Sequence, residues 1–550
     1  MKGGFFASAV ALFVSVPLVL GQLGGHGYQS AFQPPGLRRL RERALEVELE
    51  KRALEQNASS DPNAIPYAQL WFTQKVDHFD PSNNNTFQQR YWISTHFYKP
   101  GGPVFVLDGG ETGGGGRLQY MQTGIGRYIT EYLGGIGIIL EHRYYGKSYV
   151  TPNLTVENLK YLDTAQSLKD NAYFAENLWK DLPANLSHIR PETAPFISYG
   201  GSYAGAKSAF LQAEYPDVYY GSLASSAVVW AGENFWEYNE PVRKHGDPIC
   251  VAILEETAKR IDKYSYMGGP LWLNFKELFG VKRLEDRDAA SYIFGVLGRW
   301  QNGNWDKNQS GANSWDKFCA NITEGLQEDD YIKPDCPEKF LVEFPDFDME
   351  EGIENFARWT RGSIKSNCGG SDLVECAGSW DTASYDGESL SDSWRLWTWQ
   401  VCTEWGYLMP GAPPGSPTLQ PRILNLEYYR RTCQYAFKFP SDFVIDTSKV
   451  LQYGGYNLTG PRLMYIDGTH DPWLYATPHS PHSPQKDRND RLSILIPEAW
   501  HHNDENGLGD ISKEPPRIQK VHLQQIEVVG DWVREFHKGK GTTWEPSRNI

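Results

Sequence analysis

Beyond its first twenty positions the chain has no apolar run near the ~20 residues that a membrane-crossing helix needs, so no span is expected in its body. Positive charge is the minority sign. Lys and Arg number 53 against 68 Asp and Glu, a formal net charge of −15. Nucleic acid and anionic membrane would both be repelled, and both are excluded as partners. Cysteine does not occur before Cys250, and none of the seven cysteines stands in a CxxC or zinc spacing. With no His/Cys/Asp cluster at ligand spacing either, neither a metal nor a cofactor is expected.

Aromatic residues, by contrast, are abundant: 19 Trp, 31 Tyr and 25 Phe in 550 residues. A chain this long exceeds one simple core and suggests a large domain with an insertion, or two domains. Met1-Lys2 followed by the apolar run Phe5 to Leu20 has the form of a secretory signal peptide, residues 1–21, with Val19 and Gly21 at −3 and −1 of a cleavage site before Gln22. Residues 22–65 read as a leader or propeptide: Pro34-Pro35-Gly36, a charged stretch with Leu37, Leu40, Leu45 and Leu49, then the dibasic Lys51-Arg52. Sequons at Asn57, Asn84, Asn153, Asn185, Asn308, Asn321 and Asn457 fit glycosylation in the secretory pathway. In that compartment the seven cysteines read as three disulfides and one leftover thiol, with Cys368–Cys376 as a plausible local pair.

From about residue 66 strand-like runs alternate with helical segments. Tyr91, Ile93, Thr95 and Phe97 alternate as in a half-buried strand. Val104 to Leu107 ends in Asp108-Gly109-Gly110-Glu111, and Ile136 to Leu140 ends in Glu141-His142-Arg143-Tyr144-Tyr145-Gly146. Pro195 to Tyr199 and Ser222 to Ser226 follow, and the pattern predicts a parallel sheet with function at the strand C-termini. It stops near residue 227. Residues 227–445 hold 12 of the 19 tryptophans and all seven cysteines, with mostly helical periodicity. Strand-like runs resume at Leu463 to Ile466 and Leu492 to Ile496, before a closing helix with Ile526, Val529, Val533 and Phe536 on one face. The expected organisation is one α/β domain (66–226 and 446–550) interrupted by a helical, disulfide-braced cap (227–445).

Residues 200–205, Gly-Gly-Ser-Tyr-Ala-Gly, join a strand to a helix of Ala204 to Tyr215 that stops before Pro216. Small residues around a serine at such a turn suit a nucleophile elbow, in which Gly200 and Ala204 keep side chains clear of an exposed Ser202 Oγ. The pattern departs from G-x-S-x-G because Ala204 replaces the second glycine. Strand 463–466 runs into Asp467-Gly468-Thr469-His470-Asp471-Pro472-Trp473, and strand 492–496 into Pro497 to His502. Nucleophile, acid and histidine, each past a strand end, follow the α/β-hydrolase order Ser…Asp…His. The residues alone leave Asp467 or Asp471 as acid and His470, His501 or His502 as base. Oxyanion donors are expected from the N–H of Tyr203 and from the loop after the third strand, at Gly110.

These motifs, with Val76-Asp77-His78-Phe79 and Thr86 to Trp92, stand in one order that resembles the serine peptidase family of lysosomal Pro-X carboxypeptidase, dipeptidyl peptidase II, thymus-specific serine protease and secreted fungal prolyl peptidases. The resemblance covers roughly residues 66–540. It implies an α/β-hydrolase domain with an inserted helical cap, Asp471 of the Asp-Pro-Trp motif as acid, and His501 as base for Ser202. It also implies a secreted enzyme, or one of the lysosome or vacuole, acting on proline-containing peptides and cleaving after proline. A prolyl ring is flat, apolar and without an N–H, so its pocket should be aromatic and dry. Trp473 would form one wall, and Glu111 would pair with a substrate's free α-amino group. An esterase or lipase on the same fold, and an inactive glycosylated binding protein, are the two competing readings.

Overall fold

The computed structural model describes residues 64–326, 349–486, 488 and 492–548. The signal and leader segments up to residue 63, Asn57 and Cys336 lie outside the described residues.

Among the described residues, ten strands occur in chain order: β1 (Ala68–Lys75), β2 (Thr86–Ser94), β3 (Val104–Asp108), β4 (Ile136–Leu140), β5 (Phe196–Gly201), β6 (Gly221–Ser225), β7 (Gly232–Asn234), β8 (Gly406–Leu408), β9 (Leu463–Gly468) and β10 (Ser493–Ile496). Eight of them form one sheet in the order β1-β2-β4-β3-β5-β6-β9-β10. The six from β4 to β10 run parallel, while β1 and β2 add an antiparallel edge. The central strands are apolar without alternation because layers cover both faces: every residue of Val-Phe-Val-Leu-Asp in β3 and Ile-Gly-Ile-Ile-Leu in β4 is buried. The chain has the α/β-hydrolase fold with a large, mainly helical, disulfide-braced insertion.

Six helices matter to the site and its surroundings: α1 (Thr164–Asn177), α2 (Tyr203–Glu214), α3 (Pro248–Met267), α4 (Met349–Cys368), α5 (Leu426–Phe437) and α6 (Pro516–Gly539). α2 follows β5 with only Ser202 between them. α3 begins with Pro248 at its first position, under an Asp247 carboxylate that accepts from Cys250 N at 2.8 Å. α6 opens on Pro516 and buries Ile526, Val529, Val533 and Phe536, the stripe its sequence displays.

Two sequence expectations are revised here. The strand read as half-buried is β2, which ends at Ser94, and its Tyr91 and Trp92 are both only 1% exposed. One ring packs into the core on each face, because β2 lies inside the sheet between β1 and β4. β1 escaped notice because it is the edge strand: of Ala68–Lys75 only Phe72 and Gln74 are buried, and Gln and Thr blur the alternation.

β6 and β9 are sheet neighbours although the chain between them is the longest connection in the molecule. That connection contains α3, α4, α5, the two-stranded β7–β8 pair and the disulfides of the described residues: Cys250–Cys319, Cys368–Cys376 and Cys402–Cys433. The sequon residues Asn84, Asn185, Asn308, Asn321 and Asn457 are exposed, whereas Asn153 is half-buried and hydrogen-bonds Asn158 Nδ2 through its Oδ1 at 2.6 Å.

Loop closure ranks the disulfides. Cys250–Cys319 closes a sequence separation of 69 and Cys368–Cys376 one of 8, so removing them should cost roughly 4 and 2.5 kcal/mol respectively on the chain-entropy scale. Denaturant unfolding of Cys250→Ser/Cys319→Ser and Cys368→Ser/Cys376→Ser checks the ranking. Equal losses would show that native-state strain, not chain entropy, sets it.

Candidate active site

The turn between β5 and α2 holds Ser202 at φ 63° and ψ −124°, a conformation that non-glycine residues rarely adopt. Ser202 N donates to Ser225 O at 2.9 Å, which pins the turn to β6. The room for it comes from two glycines. A Cβ on Gly200 would stand 2.1 Å from Ala204 O, and one on Gly205 would stand 2.3 Å from Ser225 O. The second obligatory glycine is therefore Gly205, one position beyond the Ala204 that breaks the motif. The turn aims the serine side chain outward at the head of α2, whose first N–H groups, that of Tyr203 included, have no intrahelical acceptor.

Of the candidate acids and bases, Asp471 and His501 are the pair brought together. His501 Nδ1 lies 2.9 Å and 3.0 Å from the two Asp471 carboxylate oxygens. Both residues are buried, and His501 Nε2 is a buried nitrogen without a hydrogen bond. Burial pushes the imidazole below its usual pKa, and the Asp471 charge offsets this in part. Asp467 is engaged elsewhere, 2.5 Å from His479 Nδ1. His470 stacks on His245 at 4.4 Å between ring centroids, and burial pushes its pKa down to about 4.

His502 takes a third position. Its ring packs against Gly201, where a Cβ would come within 3.1 Å, and lies 4.5 Å from the His501 ring. Its Nδ1 is 2.9 Å from Glu505 Oε2, close enough for charge attraction although off the line of a hydrogen bond. Burial alone would lower its pKa, but Glu505 more than reverses this and the net shift is upward. His502 thus carries positive charge more readily than His501 and faces it.

The loop after β3 is held by Asp108. This buried carboxylate accepts from Lys207 Nζ on α2 at 2.7 Å, from Asn171 Nδ2 on α1 at 2.8 Å, and from Gly110 N at 2.9 Å. Burial opposes its charge, yet Lys207 keeps its pKa below the ordinary carboxylate value. One consequence is a correction: the Gly110 N–H, expected to face an oxyanion, already donates to a charged oxygen within its own loop. Gly110 supplies instead the positive φ of 66° that bends the chain toward the serine. Beneath the elbow, the Tyr203 hydroxyl joins His142 Nε2 and Gln400 Nε2, each at 2.9 Å.

Ser202 opens into a cleft lined by Glu111, Tyr203 and Trp473 from the sheet side and by Val228, Gln301, Trp397 and Tyr407 from the insertion. Trp473 is buried and clamped. It stacks on Phe235 at 5.5 Å, meets Tyr407 edge-on at 5.0 Å, and donates its indole N–H to Gln301 Oε1 at 2.9 Å. Its ring centroid is 6.2 Å from that of His501. Glu111 presents a buried Oε2 without a hydrogen-bond partner. Sequence reasoning found Trp473 and Glu111 from their neighbours in the motifs. Val228, Gln301, Trp397 and Tyr407 escaped it, because only folding the insertion over the sheet brings them to the serine; the density of tryptophan after residue 227 was the one signal.

Comparison with known proteins adds the lineage. A family model described as "Serine carboxypeptidase S28" matches residues 74–268 and 360–522. The "Probable extracellular serine carboxypeptidase" of Arthroderma benhamiae is 35% identical over 84% of this chain and 67% of its own. The human "Lysosomal Pro-X carboxypeptidase" is 26% identical over 88% of this chain and 92% of its own. Among solved structures, an open-form lipase aligns over 84% of this chain and 99% of its own, at 10% identity and a TM-score of 0.30. The matched segments carry the Ser202 turn, the Asp108 loop and the Asp471–His501 pair, and the chain belongs to the S28 family of serine peptidases.

Proposed function

We propose that this serine peptidase cleaves peptide bonds after proline through Ser202, His501 and Asp471, by way of an acyl-enzyme. The observation that carries the reading is the Asp471–His501 pair, with its unpartnered Nε2, beside a strained serine turn. Asp471 fixes the tautomer in which Nδ1 carries the proton, so Nε2 is free to take the hydroxyl proton of Ser202 and return it to the leaving amine. The N–H of Tyr203 at the head of α2 serves as one oxyanion donor. With Gly110 engaged by Asp108, the next N–H of that loop, that of Glu111, is the second. The oxygen must find preorganised donors there because the cleft is walled by rings, and water cannot supply them.

Post-proline specificity rests on the cleft. Trp473 turns its one polar group to Gln301 and lines the cleft together with Tyr407 and Trp397. A pyrrolidine ring fits such walls and has no N–H to leave unpaired. Glu111 favours one mode of action. A buried carboxylate oxygen without a partner, in the same cleft as the nucleophile, suits the α-amino group of a free N-terminus and release of X-Pro dipeptides. The names of the fungal and human relatives point instead to carboxypeptidase action, and substrate choice decides. Passage through the secretory pathway, glycosylation at the exposed sequons, and an extracellular or lysosomal destination complete the reading.

Ser202→Ala should lower kcat on prolyl peptides by about 10⁴-fold or more with the fold unchanged. Asp471→Asn and His501→Ala should also cripple turnover, whereas Asp467→Asn and His502→Ala should do less, since neither of these would carry the proton that moves between Ser202 and His501. Near-normal turnover by Ser202→Ala would remove the serine from the mechanism.

The burial that depresses the His501 pKa keeps the base neutral into mildly acidic solution. The acid limb of kcat/KM should therefore lie below the usual imidazole value of about 6.5. Replacing His502 by Gln deletes a positive neighbour of His501, eases its protonation, and should move that limb to higher pH. A limb that shifts down, or not at all, would show that His502 exerts no field on the base.

If Glu111 binds an α-amine, X-Pro substrates with free N-termini should outrun their N-acetylated forms, and Glu111→Gln should erase the difference. The cost of losing one partner of such a buried charged contact is roughly 2–5 kcal/mol. Equal rates on free and blocked substrates would assign the enzyme to carboxypeptidase or endopeptidase action.

A further inference from the structure

A second Ser–His–Asp chain of hydrogen bonds lies outside the cleft. Asp467 Oδ2 is 2.5 Å from His479 Nδ1, and His479 Nε2 is 2.8 Å from Ser493 Oγ. The carboxylate is fully buried and the imidazole nearly so, with side-chain exposures of 0% and 3%. Ser493 is only half-buried. It is the first residue of β10, the last strand of the sheet, so among the described residues one flank of its backbone has no strand neighbour. The three residues come from the end of β9, from the loop that follows, and from the start of β10.

The chemistry of this arrangement follows from its order. A histidine that donates Nδ1–H to a carboxylate presents Nε2 as an acceptor, and the hydroxyl at 2.8 Å is then the donor. Burial makes the Asp467 charge costly and lifts its pKa above the ordinary value, with His479 holding it back. Asp467 Oδ1 has no hydrogen-bond partner. A carboxylate so poorly solvated gains when its neighbour becomes a cation, and this is the change that accompanies proton transfer from Ser493 to His479.

We propose that Ser493 is a second activated serine, a covalent attachment site for phosphonyl and acyl electrophiles, with His479 as its base and Asp467 behind it. With an alkyl fluorophosphonate, Ser493 Oγ forms the O–P bond, the P–F bond breaks, fluoride leaves, and the serine proton passes to His479 Nε2. The imidazolium then returns that proton to solvent. Neither an oxidant nor a metal enters the balance. Ser493 is not among the residues that line the Trp473 cleft, and the partners proposed for it are small reactive electrophiles.

The alternative is a staple that ties β9 to β10 without reactivity, and labelling separates the two. Full-length Ser202→Ala protein is treated with a fluorophosphonate, and the adduct is located by peptide mass spectrometry. The expected result is an adduct on Ser493 that is absent from heat-unfolded protein and from Ser202→Ala/Ser493→Ala. Labelling should be at least about 10-fold slower in Ser202→Ala/His479→Gln, since removing the base of a triad costs far more than that in known cases. Should that variant fail to fold, Ser202→Ala/Asp467→Asn gives the same comparison with an isosteric side chain. No adduct on Ser493 in folded Ser202→Ala protein, or an adduct whose rate ignores both His479 and Asp467, overturns the proposal. Ser493→Ala with Ser202 intact should keep full peptidase activity, so failure here is distinct from failure of the cleft as the peptidase site.

Discussion

The buried ion pair between Asp108 and Lys207 joins the two loops that any acyl-transfer chemistry at Ser202 must hold in register. Asp108 closes β3 and ties down Gly110, while Lys207 stands on the first turns of α2, directly after the serine. Asn171 of α1 adds a third tether. A charge pair this deep is poor evidence of net stability, because desolvation consumes most of its attraction. Its value lies in direction. Removing either partner strands the other charge, roughly a 3–5 kcal/mol penalty, so the loop and the helix head cannot drift apart independently. His142 beside them stays neutral, its pKa pushed down to about 3 by burial and then by Lys207, and so serves Tyr203 as a hydrogen-bond partner without adding charge under the elbow.

The insertion completes the site from above. Trp405 and Trp397 meet the Tyr203 ring edge-on at 5.2 and 5.3 Å, and Tyr407 stands against Trp473. Tyr407 holds a left-handed backbone, φ 59°, immediately after the π-helical turn Val401–Trp405 and Gly406. Such strain persists only where packing overrides it. Here Cys402–Cys433 and the β7–β8 pairing fix the segment on both sides. Part of the aromatic wealth of the sequence thus stands at the cleft, whose lining includes Tyr203, Trp397, Tyr407 and Trp473.

Histidine and carboxylate recur in this region as three separate pairs, His501 with Asp471, His502 with Glu505 and His479 with Asp467. All the carboxylates are buried, yet the pairs differ in what lies beyond the imidazole. His501 ends in an open nitrogen, His502 in a neighbouring cation-sensitive ring, and His479 in a serine hydroxyl. The same two residue types thus leave an open nitrogen, a charge-paired ring and a hydrogen-bonded relay, according to the third partner alone.

What the sequence determined by itself was local or periodic. Unbroken apolar runs gave the central strands, since strands covered on both faces have no polar side to show. Glycines around Ser202 gave the elbow, and the stripe of Ile526, Val529, Val533 and Phe536 gave α6. The order of Ser202, Asp471 and His501 past strand ends was legible for the same reason. What tertiary structure decided were choices between chemically equal residues. Asp467 and Asp471 are four positions apart, and only the path of the chain gives one to His479 and the other to His501. Gly205 is obligatory because Ser225 O of β6 stands where its Cβ would be, and Gly110 lost its expected role because the Asp108 carboxylate folds back onto its N–H. The cleft walls Val228, Gln301, Trp397 and Tyr407 are far from Ser202 in sequence, and no periodicity within a segment encodes a contact made across the fold.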